Sequence, residues 1–124
     1  MTKNKLESLL ILESNDSLRK GLTVGLLDVF FEITSASFPE EIFSAKRLRD
    51  FSFIITGSNF ENSDPLEVIK KLRVDFPLAK LFIITDKTDY VAIKKLNKLN
   101  PQKIYSNLFD LKELINDIKQ IYDN

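Results

Sequence analysis

The stretch Phe53-Ile54-Ile55-Thr56-Gly57-Ser58-Asn59 is a short apolar run cut off by turn-forming residues. A strand covered on both faces reads this way, whereas a half-exposed strand alternates apolar and polar positions. After a loop to Ser63, Asp64-Pro65-Leu66-Glu67 opens a helix. It has an acidic cap, proline at the first helical position and glutamate three after the cap. Leu66, Ile69, Leu72 and Phe76 then recur at helical spacing until Pro77 stops the run.

The same strand-then-helix unit repeats on either side. Upstream, Ser8-Leu9-Leu10-Ile11-Leu12 is a strand, and Glu13 to Ser17 break it with capping side chains. Leu18, Leu22, Leu26 and Val29 predict one helix face. Phe31 to Ser35 is a weaker strand. Ser37-Phe38-Pro39-Glu40 reads as a capping box before a helix carrying Ile42, Phe43, Ala45 and Leu48. Downstream, Leu81 to Thr85 is a fourth strand. Thr88 or Asp89 caps a helix with Val91, Ile93 and Leu96 inward, ended by Pro101. Lys103-Ile104-Tyr105 is a short fifth strand. Asp110-Leu111-Lys112-Glu113 starts a last helix with Leu114, Ile115, Ile118 and Ile121.

Five βα units predict an α/β fold, a parallel sheet with helices on both faces. Right-handed crossovers then put the functional crevice at the carboxyl ends of the strands. Those ends are Glu13-Ser14, Thr56-Gly57-Ser58, Thr85-Asp86 and Ser106-Asn107.

Composition narrows what this crevice can do. The chain has 124 residues, 44% of them hydrophobic, enough for one core without metals or disulfides. The 18 basic and 18 acidic residues cancel, so there is no global footprint for nucleic acid. With no cysteine and no histidine, disulfide frameworks, thiolate zinc sites, cysteine nucleophiles and every imidazole mechanism are excluded. No apolar run approaches the length of a membrane span, and the N-terminus lacks the pattern of a cleaved signal peptide. The expected location is a reducing, cytoplasmic interior.

At these four loops the chain resembles the receiver domain of bacterial response regulators, the CheY-like family. Leu9 to Leu22 resembles the family's first strand, acidic pair and following helix. Phe51 to Thr56 resembles the strand before the phosphorylated aspartate. Ile69 to Lys80 resembles the third helix and its exit, Phe82 to Thr85 the strand bearing the switch threonine, and Phe109 to Leu114 the start of the last helix. Arg19-Lys20-Gly21-Leu22 and Asp75-Phe76-Pro77 resemble receivers that precede LuxR-type output domains. The resemblance implies a doubly wound, flavodoxin-like (βα)5 sandwich with strand order 2-1-3-4-5 and a role in two-component signalling.

It also implies an altered site. Family members hold Mg²⁺ with two acidic residues and the acceptor aspartate, and bond the phosphate with a hydroxyl and a lysine. Here the acidic pair is Glu13-Ser14, the acceptor position is Gly57, the lysine position is Asn107, and the following proline is Leu108; only Thr85 matches. Glycine offers no carboxylate to accept a phosphoryl group, and one glutamate is a poor Mg²⁺ site. Glu13, Ser14, Thr85 and Asn107 therefore read as a vestigial site in a receiver that is not phosphorylated. No catalytic residue, metal or cofactor is expected. A register slip does not restore the acceptor, because Thr56 and Ser58 flank Gly57, and Asp64 is a helix cap. Glu13 reads as a solvated strand-end acid and Thr85 as a β-branched strand residue.

Charge is uneven along the chain. Residues 87–103 carry Lys87, Lys94, Lys95, Lys98 and Lys103 against Asp89, while residues 13–64 carry nine acidic and five basic residues. In receivers the corresponding face resembles a docking surface. Lys94, Lys95, Lys98, Lys103 and Tyr105 are thus candidate contacts for an acidic protein partner or a second copy, across the fourth helix, fifth strand and fifth helix. Phe60 and Phe109 are candidate exposed contacts. DNA binding would fall to an additional output domain, and no membrane contact is expected. The alternative is a flavodoxin-like domain holding a small ligand or cofactor in the strand-end crevice. Direct nucleic-acid binding through the lysines is disfavoured by the neutral charge.

Overall fold

The computed structural model describes residues 5–44, 50–86, 89–106 and 111–123. Five parallel strands, β1 (Leu6–Leu12), β2 (Phe30–Ala36), β3 (Phe53–Thr56), β4 (Lys80–Ile84) and β5 (Lys103–Tyr105), form one sheet in the order β2-β1-β3-β4-β5. Between and after them come α1 (Asp16–Leu26), α2 (Pro39–Phe43), α3 (Pro65–Asp75), α4 (Tyr90–Asn97) and α5 (Leu111–Asp123). This is the expected doubly wound fold and strand order.

Strand alternation builds two cores. Leu10, Leu12, Ile54, Leu81 and Ile83 face Val68, Ile69 and Leu72 of α3 and Leu96 of α4. Leu9, Ile11, Phe53, Ile55, Phe82 and Ile84 face Leu22 and Leu26 of α1 and Leu114 and Ile118 of α5. All four β3 residues are buried, as the unbroken apolar run requires. Gly25 lets α1 lie close on α5: a Cβ there would collide with the Ile115 side chain.

Local readings differ in detail. Asn15 caps α1, its Oδ1 accepting from the Leu18 amide at 2.9 Å. Helix α1 ends at Leu26, so Val29 is buried in the turn into β2 and not on the helix. Phe38, not Ser37, sits at the N-cap of α2. Glu41 Oε1 reaches back to accept from the amides of Ser37 (3.0 Å) and Phe38 (3.2 Å). Asp64 and Asp89 cap α3 and α4 as expected. Val91 is 55% exposed, and Leu96 is the buried residue of α4, because the eight-residue helix touches the sheet through its last turn. Phe60 belongs to the core. Ala45, Leu48, Lys87, Thr88, Asn107, Leu108, Phe109 and Asp110 lie outside the described residues.

At the end of the sheet opposite the crevice, Arg73 binds carbonyl oxygens. Its guanidinium donates to Leu99 (3.0 Å), Ala79 (2.9 Å), Pro77 (3.3 Å) and Asn100 (3.0 Å). Asn100 adopts φ 56°, a left-handed conformation asparagine tolerates. The rigid fork of an arginine suits such a carbonyl cluster, which a lysine's point charge does not match.

Candidate functional site

The C-terminal ends of β1 and β3 meet at Glu13 and Gly57. The Gly57 amide donates to the Leu12 carbonyl at 2.8 Å, continuing the β1–β3 ladder one step past Thr56. Thr56 is buried and its hydroxyl donates to the Gly57 carbonyl at 2.9 Å. The side-chain face of Gly57 is taken by a neighbour: a Cβ built there would lie 2.5 Å from Glu13 Oε1 and 3.0 Å from its Cδ. Glu13 is therefore not the solvated acid expected from sequence; it is 6% exposed. Its other oxygen accepts from the Asn15 amide at 2.8 Å, and Arg19 donates to its main-chain carbonyl at 2.7 Å. A buried carboxylate needs such donors.

Ser14 is exposed, and its hydroxyl donates to the Asn59 carbonyl at 2.8 Å, joining the β1–α1 loop to the β3–α3 loop. Thr85 is 2% exposed, and its amide donates to the Tyr105 carbonyl at 2.8 Å. The structure thus brings Glu13, Ser14 and Gly57 together and sets Thr85 at the end of β4; Asn107 is outside the described residues. Among the described residues no three acidic side chains converge on a metal position. Ser58, which the sequence places at the strand end only as a neighbour of Gly57, is buried beside it. A lone serine in a turn carries no signal there.

The lysine-rich face divides in two. Lys94, Lys95 and Lys98 are exposed on α4, and none has an ion-pair partner among the described residues. Lys103 is committed internally, to Glu113 at 2.8 Å and Asp117 at 3.0 Å. Those two hydrogen bonds, Glu113's first, hold the Lys103 ammonium above its ordinary range. Tyr105 corrects the sequence reading. It is 2% exposed, so its ring is core and offers no contact surface. Its hydroxyl donates to Asp117 Oδ2 at 2.6 Å. Burial, then the bond to Asp117, pushes the Tyr105 phenol well above its ordinary value. The same bond, with Lys103 behind it, holds the Asp117 carboxyl low.

No protein-family model and no curated protein matches the sequence. Solved structures match the fold. The BeF3-activated receiver domain of DrrB from Thermotoga maritima aligns over 96% of this chain and 99% of its own, with TM-score 0.81 and 10% identity. The adenylate cyclase structure from Rhodopirellula baltica aligns over 95% of this chain and 90% of its own, with TM-score 0.75 and 24% identity. RcsB from Salmonella enterica serovar Typhimurium, bound to promoter rprA with BeF3−, aligns over 92% of this chain and 67% of its own, with TM-score 0.76 and 13% identity. The chain therefore has the five-stranded, flavodoxin-like fold of CheY-like receiver domains.

Two measurements check this geometry. Gly57→Asp forces a second carboxylate against Glu13. Like charges raise at least one folded pKa, so the penalty exists above the carboxylate range and fades as pH falls. Urea unfolding should show a loss of about 1–3 kcal/mol at neutral pH that shrinks toward pH ~4. Tyr105 keeps its proton in the fold beyond the pH, about 10, where an unfolded chain releases it. Its contribution to stability is complete below that pH and is lost as pH rises beyond it. In an ultraviolet tyrosinate titration, Tyr105 should ionise only with unfolding, and Tyr105→Phe should remove that component.

Proposed function

We propose that this chain is an atypical response-regulator receiver that signals through protein contacts and is not phosphorylated on aspartate. The observation that carries this reading is the Glu13 carboxylate packed on the bare face of Gly57. A phosphoryl acceptor at the end of β3 needs a carboxylate there as nucleophile, and Gly57 has no side chain. Glu13 is turned toward the Asn15 amide, which draws on the lone pairs it would give to a cation. With Ser14 at the second acidic position, the residues present do not fit the Mg²⁺ that the fold family implies. On the resemblance, Asn107 also lacks the charge a lysine would bring to a phosphoryl oxygen.

The output is docking. Lys94 and Lys95 on α4 and Lys98 just after it are exposed, without an ion-pair partner among the described residues, beside exposed Tyr90 and Val91. This is a basic face with an apolar margin, suited to an acidic protein partner or a second copy of the chain, across α4, β5 and α5. Tyr105 supports that face from within, and Lys103, exposed on it, is paired with Glu113 and Asp117. The role is control of signalling or transcription, with any DNA contact made by an additional output domain. RcsB, which shares the fold, is bound to a promoter in its own structure. Among the described residues no helix is long and apolar enough to cross a membrane, and we place the work of this domain in the cytoplasm without membrane contact.

Beryllofluoride or acetyl phosphate with Mg²⁺ should leave the amide NMR spectrum unchanged. Stoichiometric, Mg²⁺-dependent binding of beryllofluoride would overturn the reading. Reversing Lys94, Lys95 and Lys98 to Glu should weaken self-association or partner binding about tenfold or more. The unfolding free energy should stay within roughly 0.5 kcal/mol of the parent. Unchanged sedimentation and partner affinity would reject this face.

A further inference from the structure

A second concavity lies beside the Glu13–Gly57 contact, between the N-terminal ends of α3 and α4. It encloses about 390 Å³, within the range of small-molecule sites, roughly 300–1,000 Å³. Its apolar lining is Leu66 of α3 and Val91, Ala92 and Leu96 of α4, and Thr85 also lines it. Ser58 lies at its base and is 7% exposed. Among the described residues the Ser58 hydroxyl has no hydrogen-bond partner. No fully buried side-chain oxygen or nitrogen is left unpaired there either. The Ser58 hydroxyl therefore meets the open volume of the cleft and is available to a ligand.

Among the described residues three charged side chains line the same cleft: Asp64, Asp89 and Lys95. None is in an ion pair among the described residues. Asp64 and Asp89 each spend one oxygen on the first turn of a helix, accepting from Leu66 and Val91 amides at 3.1 Å. One amide at each helix start is thus capped, and the two cap carboxylates oppose an anion at that end of the cleft. A ligand anion has to go to Lys95, and a ligand cation to the outer oxygens of the two aspartates. A purely anionic ligand would leave two carboxylates uncompensated, and a purely cationic one would leave Lys95.

We propose that this cleft binds a small zwitterion with an apolar side chain, an amino-acid-like ligand. Its carboxylate pairs with Lys95, its ammonium faces Asp64 and Asp89, and its side chain lies on Leu66, Ala92 and Leu96, with Ser58 bonding a polar atom at the base. Lys95 and Val91 also belong to the face proposed for docking. Coupling between ligand and partner rests on that reading; binding of the ligand does not.

The test is an NMR titration of the chain alone with L-leucine and L-phenylalanine. Saturable shifts should centre on Ser58, Ala92 and Lys95. Glycine, isocaproate and isoamylamine, which lack the apolar body, the ammonium and the carboxylate, should each bind about tenfold more weakly or worse. Lys95→Glu should weaken binding by a similar factor, and Ala92→Trp, which fills the cleft, should abolish it. No saturable shift with either amino acid overturns the proposal. So does an Ala92→Trp variant that titrates like the parent, or equal binding of the three truncated probes. A chain that binds beryllofluoride and still binds leucine sinks only the phosphorylation-independent reading. A chain that ignores both sinks only the ligand.

Discussion

A missing Cβ organises the functional end of this protein. Because Gly57 has no side chain, the Glu13 carboxylate can lie flat against it while bonded to the Asn15 amide. That placement takes a charged group out of water, which is tolerable only with hydrogen bonds in return. The Ser14 hydroxyl on the Asn59 carbonyl then ties the two neighbouring loops across the same spot. Over β1 and β3 the strand-end crevice is spanned by the Glu13–Gly57 packing and the Ser14–Asn59 bond. It opens instead further along, at β3 and β4, where the Ser58 hydroxyl faces the cleft between α3 and α4.

The two ends of the sheet carry different demands. At the amino ends of the strands, Arg73 collects four carbonyls from two loops, α3–β4 and α4–β5, so chain turns that would otherwise expose acceptors are pinned by one fork of donors. Burial lowers the Arg73 pKa, the electrostatic cost of that position. At the carboxyl ends, the β1–α1 loop is held by the Asn15 amide on Glu13 Oε2, by Arg19 on the Glu13 carbonyl and by Ser14 on the Asn59 carbonyl.

The basic character of the last third of the chain is also sorted by structure. Lys103, at the surface, is paired with Glu113 and Asp117 of the same chain, and the buried Tyr105 bonds Asp117. This network fixes β5 to α5 across a surface that the apolar residues alone would seal poorly, since β5 has only three residues. On and just after α4, Lys94, Lys95 and Lys98 are exposed and have no ion-pair partner among the described residues. A count of lysines along the sequence overstates the free charge of this face.

The sequence alone determined the layers of this protein. Continuous apolar runs such as Leu9–Leu12 and Phe53–Ile55 only fit strands buried on both faces, and Asp64-Pro65 and Asp89 announce helix starts through local bonds their own side chains make. That the end of β3 carries a glycine, with no carboxylate, was equally legible, because it is a matter of residue identity and register. Burial of Glu13, Phe60 and Tyr105, the internal pairing of Lys103 and the cleft at Ser58 were not. Each depends on partners far away in the chain, brought near only when the sheet assembles, and no local pattern encodes which side chain will find them.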